Sequence, residues 1–224
     1  MSTNNNVQKF DVIIVGAGVP GLIAAIELSG AGLQVALLEA KEFQETPSGK
    51  HVRVSAINIV SERILQRLHC WDEISTKKIS PFREITVSDA EGVGRVLFSY
   101  RDVGREYLGN IVANEELIQV LLNRAKELPN LFLFCPVQIN VMMIDDDVVK
   151  IKCSDETKFE SKLLVGADGA ESWVRKTLNI PVEEMPYHHT ALVATVKTEN
   201  VHGSVARQRF RENGPIAFLP LENQ

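Results

Sequence analysis

The chain has 224 residues with 24 Lys or Arg and 29 Asp or Glu, which gives a net charge of −5. Its 45% hydrophobic content is enough for a packed core, so a largely disordered chain is excluded. Acidic and basic residues are interspersed without a basic block, which argues against a nucleic-acid partner. No apolar run has the length of a membrane span, and the polar residues 1–9 lack the apolar stretch of a secretory signal. Three widely spaced cysteines without metal-ligand spacing predict reduced thiols in a cytoplasmic protein with no metal site.

Residues 10–39 carry the most informative pattern in the chain. A short apolar run of strand character, residues 10–15, leads directly into a Gly-x-Gly-x-x-Gly motif. The glycines of this motif are Gly16, Gly18 and Gly21. Residues 22–28 are apolar at helical spacing, and a second apolar run then ends on Glu39. Strand, glycines, helix and terminal acid in this order predict a β-α-β unit that binds a dinucleotide.

Each motif residue has a physical reason for its type. Gly16 allows a tight turn off the strand, Gly18 lets the backbone approach a pyrophosphate, and Gly21 lets the helix pack close to the strand. The free N–H groups at the helix N-terminus suit phosphate oxygens. Glu39 lies about 20 residues after the glycines, where a carboxylate accepts both hydroxyls of an adenosine ribose. Because a 2′-phosphate would be repelled there, the motif favours FAD or NAD over NADP.

The middle of the chain alternates between helical and strand patterns. Residues 40–50 predict a loop, and residues 51–58 lead into a helix that ends near His69. Residues 85–88 and 95–100 predict two strands joined by a turn, which forms a β insertion in an α/β chain. Asn114 is a predicted N-cap for a helix over residues 115–128. The predicted strands that follow are 131–135, an antiparallel pair at 137–144 and 148–153, and a continuation of this meander at 157–161.

A second informative stretch begins at residue 162, where an apolar strand ends at Gly166-Ala167-Asp168-Gly169. Asp168 at a strand end could meet a ligand at the carboxyl edge of a parallel sheet, or it could simply cap the next helix. Arg53 has two similar alternatives, since it could pair with a pyrophosphate or lie exposed.

The last part of the chain predicts further strands at residues 191–197, 205–210 and 216–219. His188 and His189 are adjacent, so in a strand they would point to opposite faces and could not easily bind one metal.

Taken together, these motifs resemble the group A FAD-dependent aromatic hydroxylases. The glycine motif with Glu39 is shared by many flavoproteins, whereas residues 53–58 and 165–175 narrow the resemblance to this group. Residues 188–195, 206–208 and 217–221 are similar to the ubiquinone-biosynthesis branch of hydroxylases. The resemblance covers nearly the whole chain.

The resemblance implies an α/β fold of the p-hydroxybenzoate hydroxylase type. A Rossmann-type FAD-binding domain with a parallel sheet and a β-meander would occupy residues 1–78 and 109–180. A partial antiparallel β-sheet substrate domain would occupy residues 79–108 and 181–224. NAD(P)H would reduce the FAD, and O₂ would supply the oxygen that hydroxylates an aromatic ring of a polyprenylated ubiquinone precursor.

The resemblance also implies a set of cofactor-binding residues. The predicted contacts are Gly16, Ala17, Gly18, Val19, Pro20, Gly21, Glu39, Ala40, Arg53, Asn114, Val137 and Asp168. No catalytic acid–base residue is predicted, because the flavin carries the chemistry.

One departure from the family concerns a second Gly-Asp motif that the family has further downstream. Nothing after Asp168-Gly169 supplies it, so the chain is expected to be the N-terminal half to two-thirds of such an enzyme. Two alternatives stay open: a non-catalytic fragment or subunit among quinone-biosynthesis proteins, and another Rossmann FAD oxidoreductase. The family also implies work at the surface of the inner membrane, although no amphipathic anchor is visible.

Overall fold

The computed structural model describes residues 7–43, 53–145 and 147–221. Residues 1–6, most of the predicted loop (44–50) and residues 51–52 lie outside the described part. The chain divides into two compact units, a first unit of Met1–Pro47 with Ile118–Thr190 and a second unit of Ser48–Leu117 with Ala191–Gln224. These limits differ from the segments assigned to FAD and substrate above, and that functional assignment stays a prediction.

The described residues form four α-helices and thirteen strands. In chain order they are β1 (Val7–Val15), α1 (Val19–Gly30), β2 (Val35–Leu38), β3 (Val54–Asn58), α2 (Ile59–Arg67), β4 (Ile79–Phe82), β5 (Glu84–Asp89), β6 (Arg95–Ser99), β7 (Gly109–Ala113), α3 (Asn114–Glu127), β8 (Leu131–Phe134), β9 (Ile139–Asp145), β10 (Val148–Cys153), β11 (Lys158–Gly166), α4 (Trp173–Thr177), β12 (Val205–Phe210) and β13 (Ile216–Phe218).

The first unit is built on a six-stranded sheet with the order β8-β2-β1-β11-β10-β9. The first four strands are parallel, and β10 and β9 add an antiparallel meander. The register places Val15 beside both Leu38 and Gly166. The carboxyl ends of three parallel strands therefore meet at one edge, which is where ligands bind in open α/β sheets.

The apolar sequence explains why β1, β2 and α1 pack together. Ile13 and Ile14 in β1 and Ala36 in β2 are fully buried, as expected for strands with both faces covered. The helix α1 buries Leu22 and Ala25 at helical spacing. Pro20 lies in the first turn of α1, where its missing N–H costs no helical hydrogen bond. The predicted β-α-β unit is confirmed, although β1 begins at Val7 rather than near residue 10.

The second unit contains two smaller sheets. One is antiparallel, with the order β3-β7-β4. The other has the order β13-β12-β5-β6, with antiparallel pairs at both ends and a parallel pair, β12 with β5, in the middle. The α/β fold class is confirmed: the chain has one sheet with four parallel strands and an antiparallel meander, one mixed sheet and one antiparallel sheet.

Two strand predictions need correction. Residues 157–161 and the strand from residue 162 form a single strand, β11, because β1 pairs with both parts. Residues 191–197 form no strand, and the prediction there was wrong. Leu192 is 94% exposed, and no described strand pairs with this segment, so its apolar alternation has no ladder to join. His188 and His189 are also outside any strand.

Candidate cofactor site

The turn after β1 is shaped by two glycines that the backbone itself requires. Gly16 has a φ of +102°, and a Cβ on it would lie 2.4 Å from the carbonyl oxygen of Ala167. A Cβ on Gly21 would lie 1.9 Å from the carbonyl oxygen of Gly16. Both positions are filled by neighbouring protein atoms, so a side chain at either one would push apart β1, α1 and the turn after β11.

The middle glycine of the motif differs from the other two. Gly18 has φ −69° and ψ 175°, an extended conformation that any residue can adopt. The nearest atom to a Cβ on Gly18 would be Pro20 Cδ at 3.8 Å, an ordinary van der Waals distance, so a side chain fits here without a clash. Within the described residues, the N–H groups of Gly18, Val19 and Gly21 have no hydrogen-bond partner. A surface lined by unpaired N–H groups at a helix N-terminus fits an anionic group such as a pyrophosphate.

Glu39 lies directly beside this loop, at the end of β2. Its carboxylate accepts hydrogen bonds from the N–H of Ala17 at 2.8 Å and of Lys41 at 3.0 Å. Its backbone carbonyl accepts from the N–H of Val137 at 2.8 Å, which ties β2 to the chain after β8. Each carboxylate oxygen has further lone pairs, so the same group can accept ribose hydroxyls. The neighbouring Ala40 is exposed.

Asp168 leaves the sheet at the same edge, and its Cα would lie 2.7 Å from a Cβ on Gly16. Its carboxylate accepts hydrogen bonds from the hydroxyl of Ser172 and, at 3.1 Å, from the N–H of Val174. Asp168 therefore holds the start of α4, which is the capping alternative considered from the sequence. A contact with a cofactor through its remaining lone pairs stays a prediction.

The two other predicted contacts lie together in the second unit. The backbone carbonyl of Arg53 accepts from the N–H of Asn114 at 3.1 Å, and the Arg53 side chain is exposed. The hydroxyl of Ser55 donates to Asn114 Oδ1 at 2.7 Å. Ser55 was part of the motif, but sequence reasoning gave it no role, because its partner is 59 residues away and only strand pairing brings them together.

The structure thus groups the predicted site residues in two sets. The glycine motif, Glu39 and Asp168 meet at one edge of the six-stranded sheet. Arg53 and Asn114 are adjacent at the junction of β3 and α3. Each set contains hydrogen-bonding groups, and the role of these groups in binding a cofactor stays a prediction.

The cysteines lack the features of a reactive site. Cys70 and Cys153 are buried, and burial raises the pKa of the Cys153 thiol to about 11. Cys135 is half-buried, its thiol donates to the carbonyl oxygen of Lys41, and burial raises its pKa as well.

Among the residues that the structure describes, no three His, Cys, Asp or Glu side chains are grouped to bind a metal. In the same residues, no helix combines the length and the apolar character that crossing a membrane requires.

Comparison with known proteins shows one family match and several curated relatives of about 30% identity. The family model described as "FAD binding domain" matches residues 9–223. Ubiquinone biosynthesis monooxygenase COQ6 of Drosophila melanogaster is 31% identical over 234 residues, covering 99% of this chain and 49% of that protein. The 3-demethoxyubiquinol 3-hydroxylase of Escherichia coli K12 is 31% identical over 216 residues, covering 96% of this chain and 55% of that protein. The chain spans about half the length of the curated relatives it matches.

Solved structures show the same fold. PqsL of P. aeruginosa, in a mutant form, superposes with a TM-score of 0.81 at 21% identity, covering 96% of this chain and 59% of that one. The p-nitrophenol 4-monooxygenase PnpA of Pseudomonas putida has a TM-score of 0.66 at 20% identity, covering 80% of this chain and 46% of that one.

Proposed function

This chain belongs to the FAD binding domain family, and on that premise we propose that it supplies the FAD-binding part of an aromatic-ring monooxygenase. The redox chemistry, which is reduction by NAD(P)H and hydroxylation of the ring with O₂, comes from the bound flavin. The residues of this chain bind and orient that cofactor.

The observation that carries the proposal is the different surroundings of the three motif glycines. Gly16 and Gly21 are enclosed by backbone, whereas a Cβ on Gly18 would meet only Pro20 Cδ, at 3.8 Å, beside N–H groups without a partner among the described residues. The fold therefore needs two of the glycines, and the third is explained by a ligand that approaches the backbone. The N–H groups of Gly18, Val19 and Gly21 would donate to the pyrophosphate of FAD.

The ribose of the adenosine would lie at Glu39. Ala17 already donates to this carboxylate, so the acid is held next to the loop before any cofactor binds. The negative charge disfavours a 2′-phosphate, which supports FAD over NADP at this position. Arg53 would contact the diphosphate side, while Asn114 and Asp168 would complete the contacts.

For the substrate, we propose an aromatic ring of a ubiquinone precursor. Support comes from the names of two relatives, one a ubiquinone biosynthesis monooxygenase and the other a 3-demethoxyubiquinol 3-hydroxylase. Because a polyprenylated substrate lies in the membrane, the protein would be cytoplasmic and would bind peripherally to the inner membrane. Other quinone-biosynthesis proteins would be its partners there.

The experiment that tests the cofactor site separates folding from binding. Gly18→Ala should unfold at the same temperature as the wild type, because the added methyl group meets no protein atom closer than 3.8 Å. Its affinity for FAD, measured by flavin fluorescence quenching, should fall at least about tenfold, or ~1.4 kcal/mol, because that methyl group occupies the position of the pyrophosphate.

Gly30→Ala is the matched control, since Gly30 ends the same helix in open space. It should bind FAD like the wild type. Unchanged FAD affinity in Gly18→Ala would contradict the placement of the pyrophosphate, and a wild-type chain that binds no FAD would overturn the proposed function. Oxidation of NAD(P)H by the FAD-loaded chain would then be measured with and without a short-chain ubiquinol.

A further inference from the structure

We propose that one face of the sheet β13-β12-β5-β6 docks on an anionic lipid bilayer. The inference rests on the proposed function for its biological reason, because a polyprenylated ring would be reached at a membrane surface. It concerns only the second unit, to which all four strands belong.

The strand register collects three arginines on this face. Arg95 pairs with Ser88, and Ser88 pairs with Arg209, so the three residues form one row across β6, β5 and β12. Arg207 lies two residues before Arg209 on β12, and because side chains alternate along a strand it lies on the same face. We refer to the face that carries Arg95, Arg207 and Arg209 as the arginine face.

The three guanidinium groups of the arginine face are accessible to a partner. All three residues are exposed. None of them has an ion-pair partner among the residues that the structure describes. Arg207 donates hydrogen bonds to the carbonyl oxygens of His202 and Val205, at 2.9 Å and 3.1 Å, and its charge stays uncompensated. Guanidinium groups in this state suit phosphate oxygens, which they bind through parallel N–H donors.

The two faces of the sheet differ in charge. Glu84 is the acidic strand residue of the arginine face, so three Arg and one Glu give this face a net charge of +2. On the opposite face Asp89 is the charged strand residue, which gives −1. The turns at one end of the sheet add charges of both signs, which are Glu91, Arg211 and Glu212. Since the whole chain has a net charge of −5, the arginine face is a local site of attraction for an anionic surface.

Apolar side chains lie between the arginines and indicate the kind of anionic partner. Leu97, Phe218 and Ile216 are 50%, 46% and 36% exposed. Phe218 pairs directly with Arg207. Ile216 pairs with Arg209. A bilayer surface offers phosphate oxygens to the arginines and an apolar boundary to these side chains, whereas a soluble polyanion offers mainly charge. The arginine face therefore fits a membrane with anionic lipids.

Co-sedimentation of the chain with lipid vesicles tests the inference. The wild type should bind phosphatidylcholine vesicles that contain phosphatidylglycerol, should bind pure phosphatidylcholine vesicles much more weakly, and should be released by added salt, which screens the charges. The double variant Arg95→Gln/Arg209→Gln should bind the phosphatidylglycerol vesicles roughly 25-fold more weakly, at about fivefold for each arginine near the membrane. Neither substitution removes a side-chain hydrogen bond between described residues, so the melting temperature should stay that of the wild type.

Two further variants separate charge at this face from other effects of substitution. Arg95→Lys/Arg209→Lys keeps both positive charges and should keep most of the affinity for the vesicles. Arg63→Gln is the matched control, because Arg63 is an exposed arginine of the same unit that lies on α2 and not on this sheet. It should bind the vesicles like the wild type.

Four outcomes would overturn the inference. They are no binding of the wild type to phosphatidylglycerol vesicles, full binding by the double Gln variant, an equal loss in Arg63→Gln, and tighter binding to a single-stranded oligonucleotide than to the vesicles. FAD titration of the same preparations shows whether the proposed function survives. A wild type that binds FAD but no vesicles removes only the docking surface, and one that binds vesicles through these arginines but no FAD removes only the proposed function.

Discussion

The strands β1 and β6 have similar apolar sequences, but the structure buries them very differently. In β1, Ile13 and Ile14 are completely buried. In β6, three successive side chains, Val96, Leu97 and Phe98, are each 50–53% exposed. The first strand lies at the centre of a parallel sheet that α1 covers, and the second lies at the edge of the sheet β13-β12-β5-β6.

The difference shows that strand propensity and burial are separate properties. Val, Leu and Phe form strands in both units, but a side chain contributes most to stability when a second layer covers it. The six-stranded sheet has that layer and also carries the predicted pyrophosphate and ribose contacts at its edge. The cofactor contacts of the first unit are therefore built on its most buried strands.

The largest effect that we expect tests this comparison directly. Ile14→Ala removes a fully buried side chain and should lower the free energy of unfolding by about 2–5 kcal/mol. Phe98→Ala removes a larger but half-exposed side chain and should cost less than about 1 kcal/mol. Urea unfolding followed by circular dichroism measures both. A Phe98→Ala cost equal to that of Ile14→Ala would show that β6 is as well covered as β1.

The second prediction concerns the tightest contact at the edge of that sheet. Gly21→Ala should destabilise the chain by about 3 kcal/mol, because its Cβ would lie 1.9 Å from the carbonyl oxygen of Gly16 and α1 would have to move. In the same helix, Gly30→Ala meets no atom within 4 Å and should be neutral or stabilising by up to ~1 kcal/mol. Thermal unfolding of the two variants gives the contrast, and equal melting temperatures would contradict the packing described for Gly21.

The sequence predicted structure best where the residues of a motif are close together in the chain and adopt one local geometry. The spacing of Gly16, Gly18 and Gly21 predicted the turn, and the end of β2 predicted where Glu39 emerges. Local pattern could not distinguish the roles of Asp168, because capping and ligand binding use the same carboxylate. Only the structure shows that Ser172 and the N–H of Val174 are its partners.

The failures have a common physical cause, which is dependence on distant partners. Residues 191–197 have a strand-like pattern, but no described strand pairs with them. The parallel pairing of β12 with β5 joins segments about 120 residues apart, and no local signal encodes it. Ser55 is similar, since its contact with Asn114 depends on the register of β3 against β7.

The third prediction concerns the carboxylate beside the glycine motif. Glu39→Ala should weaken FAD binding by about 1–3 kcal/mol, because it removes a charged acceptor for the ribose hydroxyls. Flavin retained after desalting measures the loss. Since the side chain also accepts from Ala17 and Lys41, Glu39→Gln is the matched variant that keeps one acceptor oxygen and should lose less. Equal flavin retention in all three proteins would place the ribose elsewhere.

The smallest expected effect concerns the second unit, which contains a buried carboxylate among neutral donors. Glu62 is 5% exposed and accepts from the hydroxyl of Tyr107 at 2.7 Å and the amide of Asn110 at 2.9 Å. The hydrogen bond to Glu62 raises the pKa of Tyr107 above its ordinary value of 10.0. Because the folded-state pKa is the higher one, the stabilisation by this bond is fully present below pH ~10 and is lost as the pH rises through the folded-state pKa.

Tyr107→Phe removes the bond and should lower stability by about 1 kcal/mol between pH 7 and pH 9, with the gap to the wild type closing above pH ~10. Urea titrations at several pH values measure that gap. Tyr187→Phe is the control, because Tyr187 is 86% exposed and its loss should change nothing at any pH. A hydrogen bond that stabilises the neutral phenol must weaken when the phenol ionises. If Tyr107→Phe stayed less stable than the wild type by a constant amount through pH 11, the hydroxyl would therefore act through packing and not through this bond. In that case packing would stabilise both units, and the units would differ only in how completely their apolar side chains are buried.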